Sequence, residues 1–378
     1  MRIDRVVIRE IRLRLKAPFE TSFGSISDRK IVLVEVFSGG TVGWGEVTAG
    51  EGPFYNSETK DTSWIILRDF IVPLVLGKTV KAPEEIPGLL AVIRGHEMSK
   101  AAVENAVWDI SAQEQGVPLA KRLGGTRAEI ACGVSLGIRS TPDELIAAIE
   151  PELAAGYQRI KMKIKPGKDL EFISAARQKF PQTQLMVDAN SAYTLKDSAH
   201  LKKFDDYNLM MIEQPLAWDD IYDHSKLQGM LETAICLDEC IHNLQQARAA
   251  LDLKACRILN IKLGRVGGHT EARSIAEYSE DKGVPVWCGG MLESGIGRAH
   301  NIALSSLPGF TLPGDVSASN RYWDEDIIEP EVEVSGKGTI RVPTSPGIGY
   351  RVRRGRVEAL TVRREAFSAR DRISVVAP

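Results

Sequence analysis

From about Glu129 to about Val316 the chain repeats one unit, a short apolar run followed by a stretch of helical period. The runs are EIACGVSLGI, RIKMKIK, QLMVDAN, LMMIEQP, AICLDE, ILNIKL, PVWCGG and TLPGDV, and between most of them lie segments such as TPDELIAAIEPELAAG, DLEFISAARQKF and HTEARSIAEYSEDKG. Short runs of this kind read as strands buried on both faces, and their alternation with helices implies parallel strands joined by right-handed crossovers. Eight such units predict a closed TIM-type (β/α) barrel over residues 126–320. An open, doubly wound sheet is the alternative, but no phosphate-binding GxGxxG follows the first run.

The flanks have a different rhythm. Residues 1–125 predict an α+β domain, because IVLVEVFSGGTVGWGEV reads as two strands about a Gly-Gly turn. Three helical stretches follow it, SETKDTSWIILRDFIVPLVL, APEEIPGLLAVIRG and SKAAVENAVWDISAQEQG, the last closed by Gly116 as a C-cap. Residues 321–378 abandon the barrel period. Their run RVRRGRVEALTVRREAFSARDR is rich in arginine but interspersed with Glu358, Glu365 and Asp371, which favours a solvated surface over nucleic-acid binding. The last dozen or so residues are expected to be disordered.

Composition removes several classes of function. A net charge of −2 gives no field for nucleic acid or an anionic membrane, and no apolar run is long enough to span a bilayer. MRIDRVVIREIRLRLK is interrupted by charge too often for a signal peptide. The 5 cysteines contain no CxxC pair and the 6 histidines are scattered, so reduced thiols in a cytoplasmic protein are expected and a zinc enzyme is not. A homo-oligomer acting on a small molecule, with neither nucleic acid nor membrane as partner, is expected.

The chemistry sits at the ends of the runs. Lys163, Asp188, Glu213, Asp238 and Lys262 are separated by 25, 25, 25 and 24 residues, about one strand–helix unit each. In a barrel they converge on one mouth, where catalytic residues gather. Three carboxylates there repel one another unless a hard divalent cation neutralises them, which points to Asp188, Glu213 and Asp238 as ligands of Mg²⁺ or Mn²⁺. The lysines flank them, Lys163 before and Lys262 after. Lys161 shares a strand face with Lys163 and is expected to lower the pKa of that base, whereas Lys165 falls past the strand end. A metal with lysine bases suits removal of a proton alpha to a carboxylate. Asn190 shares a face with Asp188 and is expected to orient the ligands, and Glu293 is expected to pair with Lys262. A Schiff-base aldolase is a second reading, though it gives three phased carboxylates no role, and a non-catalytic metal-binding module is a third.

KMK at 161–163, VDAN at 187–190, IEQP at 212–215, LDE at 237–239 and NIK at 260–262 resemble the enolase superfamily, muconate-lactonizing subgroup. The segments APFETSFGS, VGWGEV, CGVSLGI, GRVGG, VPVWCGGM and LPGDVSAS make the chain similar to the o-succinylbenzoate synthase/N-succinylamino acid racemase family within it. The resemblance implies a cap over the barrel mouth, completed by the returning C-terminal segment, with the loop around Phe19–Ser25 closing over substrate. It implies dehydration or racemisation through an enediolate. It places Ser135 in the substrate pocket, Arg265 beside the Lys262 base, and Gly289, Gly290 and Met291 around a succinyl arm. Cys240 and Leu263 depart from residues common in relatives, a serine and a proline, at positions that touch neither a metal ligand nor a base.

Overall fold

The computed structural model describes residues 1–21 and 24–369; the tail end expected to be disordered lies largely outside them. The chain opens with an antiparallel meander of β1 (Arg5–Thr21), β2 (Gly24–Ser38) and β3 (Thr41–Val47). Gly39 and Gly40 turn β2 into β3 with φ of +54° and +92°, the left-handed pair that a tight two-residue hairpin requires. The β1–β2 register breaks after Arg14 and resumes at Phe19↔Ile26 and Glu20↔Ser25. Of the loop expected around Phe19–Ser25, Phe19 and Glu20 of β1 and Gly24 and Ser25 of β2 are strand residues, and residues 22–23 lie outside the described ones.

Helix Glu97–Glu114 lies across this sheet, buried along most of its length, and Gly116 closes it with φ of +65°. The glycines of VGWGEV explain the close packing: a Cβ at Gly43 or Gly45 would fall 1.9 or 1.8 Å from the carbonyl oxygens of Ala106 or Ala102. The helical stretch before it is broken into Lys60–Ile66, a π-turn at Leu67–Ile71, and Val72–Val75. Pro73 has no N–H to continue the regular ladder, which accounts for the break.

The run EIACGVSLGI divides into β4 (Glu129–Ala131), which stays outside the barrel sheet, and β5 (Gly133–Leu136), with which the barrel begins. It continues through β6 (Arg159–Lys163), β7 (Gln184–Asp188), β8 (Ile212–Glu213), β9 (Ile235–Leu237), β10 (Ile258–Ile261) and β11 (Val286–Cys288). Strands β5 to β11 form one 7-stranded parallel sheet in chain order. The eighth run, TLPGDV, closes the ring without forming a regular strand. Gly133 N donates to Gly314 O at 2.7 Å on one edge, and Asp315 N donates to Cys288 O at 2.8 Å on the other. Pro313, just before them, can donate nothing, so the ladder is interrupted there.

The C-terminal segment adds β12 (Ile328–Glu329), β13 (Thr339–Arg341) and β14 (Arg351–Val352), with β13 antiparallel to β4. Finally β15 (Thr361–Ser368) pairs antiparallel with β1, so the chain end joins the cap sheet. Its arginines are engaged as well as solvated: Arg356 meets Glu325 at 2.6 Å, Arg363 meets Glu10 at 3.4 Å, and Arg9 of β1 meets Glu358 at 2.7 Å. All five cysteines are buried free thiols, and no described helix is long and apolar enough to cross a membrane.

Cap and barrel are joined by buried polar contacts. Glu104 accepts the N–H groups of His269 and Thr270 at 2.8 and 3.0 Å, and Glu46 accepts those of Ser294 and Gly297, both at 3.0 Å. Each cap carboxylate thus sits at the N-terminus of a barrel helix, where unpaired N–H groups and the helix dipole favour an anion. His300 bonds Trp44 O through Nε2 at 2.8 Å and His269 Nε2 through Nδ1 at 2.9 Å. One neutral tautomer satisfies both contacts, donating from Nε2 and accepting at Nδ1. Burial lowers the His300 pKa to about 4. The unfolded chain therefore binds the proton first, so this contribution is complete above about pH 6.5 and is lost as pH falls toward 4, roughly 3 kcal/mol in all. Melting temperature measured across that window should fall in the wild type and fall less steeply in His300→Gln.

Candidate active site

Strand register explains the spacing seen in the sequence. Lys163 pairs with Asp188 across β6 and β7, and Asp188 pairs with Glu213 across β7 and β8. Glu213 pairs with Cys236 on β9, which puts Asp238, two residues on, on the same face. The three carboxylates are fully buried in a row, with a lysine at each end. Lys163 Nζ lies 2.6 Å from Asp188 Oδ2, and Lys262 Nζ lies 2.8 Å from Asp238 Oδ2.

Lys161 differs from expectation. Its ammonium lies 2.6 Å from Asp315, 3.0 Å from Glu213 and 3.3 Å from Asp188, over the ring of Trp287. Burial opposes its charge, yet these three carboxylates hold its pKa well above the usual lysine range. Its charge is directed at the acids and not at Lys163, because the eighth run brings Asp315 onto this side of the ring. Asp315 was legible only as the acid of LPGDV; its partner was not.

Asp238 is held from below. Arg265, fully buried, pairs with its Oδ1 and also donates to Ile241 O at 2.7 Å and Asn260 O at 2.6 Å. Tyr55, from the cap, lies 3.3 Å from the same carboxylate oxygen and accepts from Arg265 Nη1 at 3.0 Å. Burial opposes charge on Asp238, but Lys262 and Arg265 keep its pKa far below the usual range, and Asp238 in turn raises that of Lys262. A lysine base of lowered pKa is thus not what the carboxylates alone impose at Lys262. Lys163 and Lys161 overcome burial to lower Asp188 to about 2.

Two acids have the opposite environment. Burial, then Asp188, pushes Glu213 up to about 7, and burial, then Asp238, pushes Glu239 up to about 8. Among the described residues Glu239 Oε2 is buried without a hydrogen-bond partner. Among the described residues no three acids, histidines or cysteines stand as a ready ligand trio, since Lys161, Lys163, Lys262 and Arg265 take up the carboxylate oxygens. An orphaned carboxylate oxygen and two carboxyls held near neutrality mark a cluster short of positive charge. All its acidic donors are hard oxygens, so a hard divalent cation fits it.

Above the row, cap and barrel enclose a cavity of about 570 Å³. Phe19, Ser135, Lys161, Lys163, Asn190, Lys262, Gly290, Met291 and Glu293, all singled out in the sequence, line it; Arg265 and the three carboxylates are buried and are not among its lining residues. Asn190 accepts from Lys163 Nζ at 2.6 Å and donates to Glu239 at 3.0 Å, tying base to acid. Among the described residues Glu293 does not pair with Lys262; it accepts from Asn301 Nδ2 at 2.9 Å, a partner 8 residues on in the same segment. Ser135 Oγ is buried without a partner among the described residues, and Phe19 packs edge-on against Tyr322. Sequence reasoning missed Tyr55, which reaches Asp238 from a distant loop, and Asn260, which donates to Glu213 at 2.7 Å. Asn260 had a signal, since it lies two residues before Lys262 on the same face.

Residues 3–124 match the family described as mandelate racemase / muconate lactonizing enzyme, N-terminal domain, and residues 144–356 match the enolase C-terminal domain-like family. The o-succinylbenzoate synthase of Geobacillus kaustophilus is 54% identical over 360 residues, covering 95% of this chain and 96% of that protein. The N-succinylamino acid racemase of Thermus thermophilus is 45% identical over 369 residues, covering 98% and 100%. A solved structure, an enolase superfamily member from Listeria innocua, superposes with a TM-score of 0.95 at 41% identity over 98% of this chain and 100% of that one. With both of its regions matched and its strand-end lysines and carboxylates in register, the chain belongs to the mandelate racemase/muconate lactonizing enzyme family of the enolase superfamily.

Proposed function

We propose that this protein is an o-succinylbenzoate synthase, dehydrating 2-succinyl-6-hydroxy-2,4-cyclohexadiene-1-carboxylate to o-succinylbenzoate in menaquinone biosynthesis. The observation that carries this reading is the pair of lysines at opposite ends of one buried carboxylate row, both opening into a single cavity. The two relatives at 54% and 53% identity that bear this name support it. Asp188, Glu213 and Asp238 are the residues that would hold Mg²⁺ or Mn²⁺. Such an ion, when bound, supplies positive charge against the substrate carboxylate as the alpha proton leaves.

The protein side chains do the rest. Lys163 takes the alpha proton onto Nζ, with Asn190 holding the nitrogen in place. Lys262, kept charged by Asp238, stabilises the enediolate from the other flank. The Lys163 ammonium then returns its proton to the departing hydroxyl on the same face, releasing water and the aromatic product. Product formation should be abolished by exhaustive metal removal and restored by Mg²⁺; undiminished turnover without metal would sink the reading.

N-succinylamino acid racemisation is a second reading, favoured by the same opposed lysines and by relatives of that name. Lys163 and Lys262 would then act on opposite faces of the alpha carbon. Alpha-proton exchange in D₂O from both enantiomers of an N-succinylamino acid is the expected result, and exchange from neither would exclude it.

A further inference from the structure

Two guanidinium groups line the cavity, Arg29 of β2 and Arg298. Arg298 is committed: it donates to Ser319 Oγ at 3.2 Å and to Glu293 O at 3.1 Å, with the Asp326 carboxylate at 3.8 Å. Arg29 is different. It is 3% exposed, and among the described residues no carboxylate lies within ion-pair distance of it. Its contacts are backbone carbonyls, Ala49 O at 3.0 Å from Nη1, and Thr48 O at 2.7 Å and Met291 O at 3.3 Å from Nη2. Among the described residues Arg29 Nε has no hydrogen-bond partner, nor has the neighbouring Thr48 Oγ1.

Charge nearby does not replace a counter-ion. Glu46, Glu293 and Glu51 are the acids whose fields reach Arg29, but each is engaged elsewhere: Glu46 by Ser294 and Gly297, Glu293 by Asn301, and Glu51 by Lys30 at 2.9 Å. A buried cation without an ion pair is costly, and an arginine fork with unused N–H groups is suited to a carboxylate. Arg29 also touches the backbone of Met291, beside the site expected for the succinyl arm, and bridges it to the cap loop at Thr48. The substrate class proposed above has a second carboxylate at the end of that arm.

We propose that Arg29 receives the distal carboxylate of the substrate and so sets the preference for succinyl over neutral acyl arms. This rests on the proposed function, since it concerns the second charge of that substrate. The test compares binding of o-succinylbenzoate with that of 2-butyrylbenzoate, in which a methyl replaces the distal carboxylate, by calorimetry on wild type, Arg29→Gln and Arg29→Lys. Wild type should favour o-succinylbenzoate by about 30-fold or more, the range of a charge-assisted hydrogen bond. Arg29→Gln should lose that ratio while binding 2-butyrylbenzoate within about 3-fold of wild type, and Arg29→Lys should keep part of it. Equal binding of the two ligands by wild type overturns the inference without any variant being needed. So does an Arg29→Gln protein that weakens both alike, which is what a backbone clamp would do, or one that keeps the wild-type ratio. Failure of the dehydratase reading shows elsewhere, as a wild-type protein that binds o-succinylbenzoate selectively yet forms none of it.

Discussion

Lys163→Ala should lose dehydration by a factor of about 10² to 10⁴, the usual contribution of a positioned general base, while still binding product. Lys262→Ala should also fail, for another reason. It leaves the base and Asn190 in place but removes the charge opposite the developing enediolate, a loss on the order of 3 kcal/mol or more. Both variants also free a carboxylate, Asp188 or Asp238, from a contact of 2.6 or 2.8 Å. Single-turnover assays, which separate chemistry from binding, are therefore the right measurement. With racemase substrates, alpha-deuterium exchange should disappear from one enantiomer in Lys163→Ala and from the other in Lys262→Ala. Wild-type exchange of both enantiomers by Lys163→Ala would mean that Lys163 is not the base.

Lys161→Met should affect stability as strongly as it affects turnover. The buried ammonium lies against Asp315, Glu213 and Asp188; a methionine of similar reach leaves Glu213 with no ion pair among the described residues, while Asp188 keeps Lys163 and Asp315 keeps Arg159. Breaking a buried ion pair by removing one partner costs about 3 to 5 kcal/mol, and here one cation serves three acids. Melting temperature should fall in metal-free buffer. Added Mg²⁺ should raise it more in Lys161→Met than in wild type, because a cation bound at Asp188 and Glu213 replaces part of the missing charge. Equal stabilisation of the two proteins by Mg²⁺ would show that Lys161 and the cation do not share these carboxylates.

The outcome at Lys161 shows where sequence reasoning reached its limit. The spacing of Lys163, Asp188, Glu213, Asp238 and Lys262 was legible because a barrel turns one strand–helix unit into one step around a ring. Near-constant separation in sequence then becomes direct pairing, as with Lys163↔Asp188 and Asp188↔Glu213. The Gly-Gly turn at 39–40 and the cap at Gly116 were legible for a local reason, since left-handed backbone selects glycine. The partners of Lys161 were not. Asp315 follows it by more than a hundred residues and reaches it only because the eighth run closes the ring, through hydrogen bonds to β5 and β11. Glu293 met Asn301 for a similar reason: a side chain bonds whatever its neighbours place within about 3 Å, and spacing alone does not identify that group.

The sequence by itself determined the elements, the parallel barrel, the row of strand-end carboxylates and the lysine at each end of it, because periodicity and strand phase are properties of the local chain. Tertiary structure decided what those groups do to one another. Only packing brings Tyr55 and Arg265 to Asp238, surrounds Lys161 with acids, and leaves Arg29 buried at the cavity wall with no counter-ion among the described residues. The physical reason is range: propensity and pattern act over a few residues, whereas burial and Coulomb interactions depend on distance in space, whatever the separation along the chain.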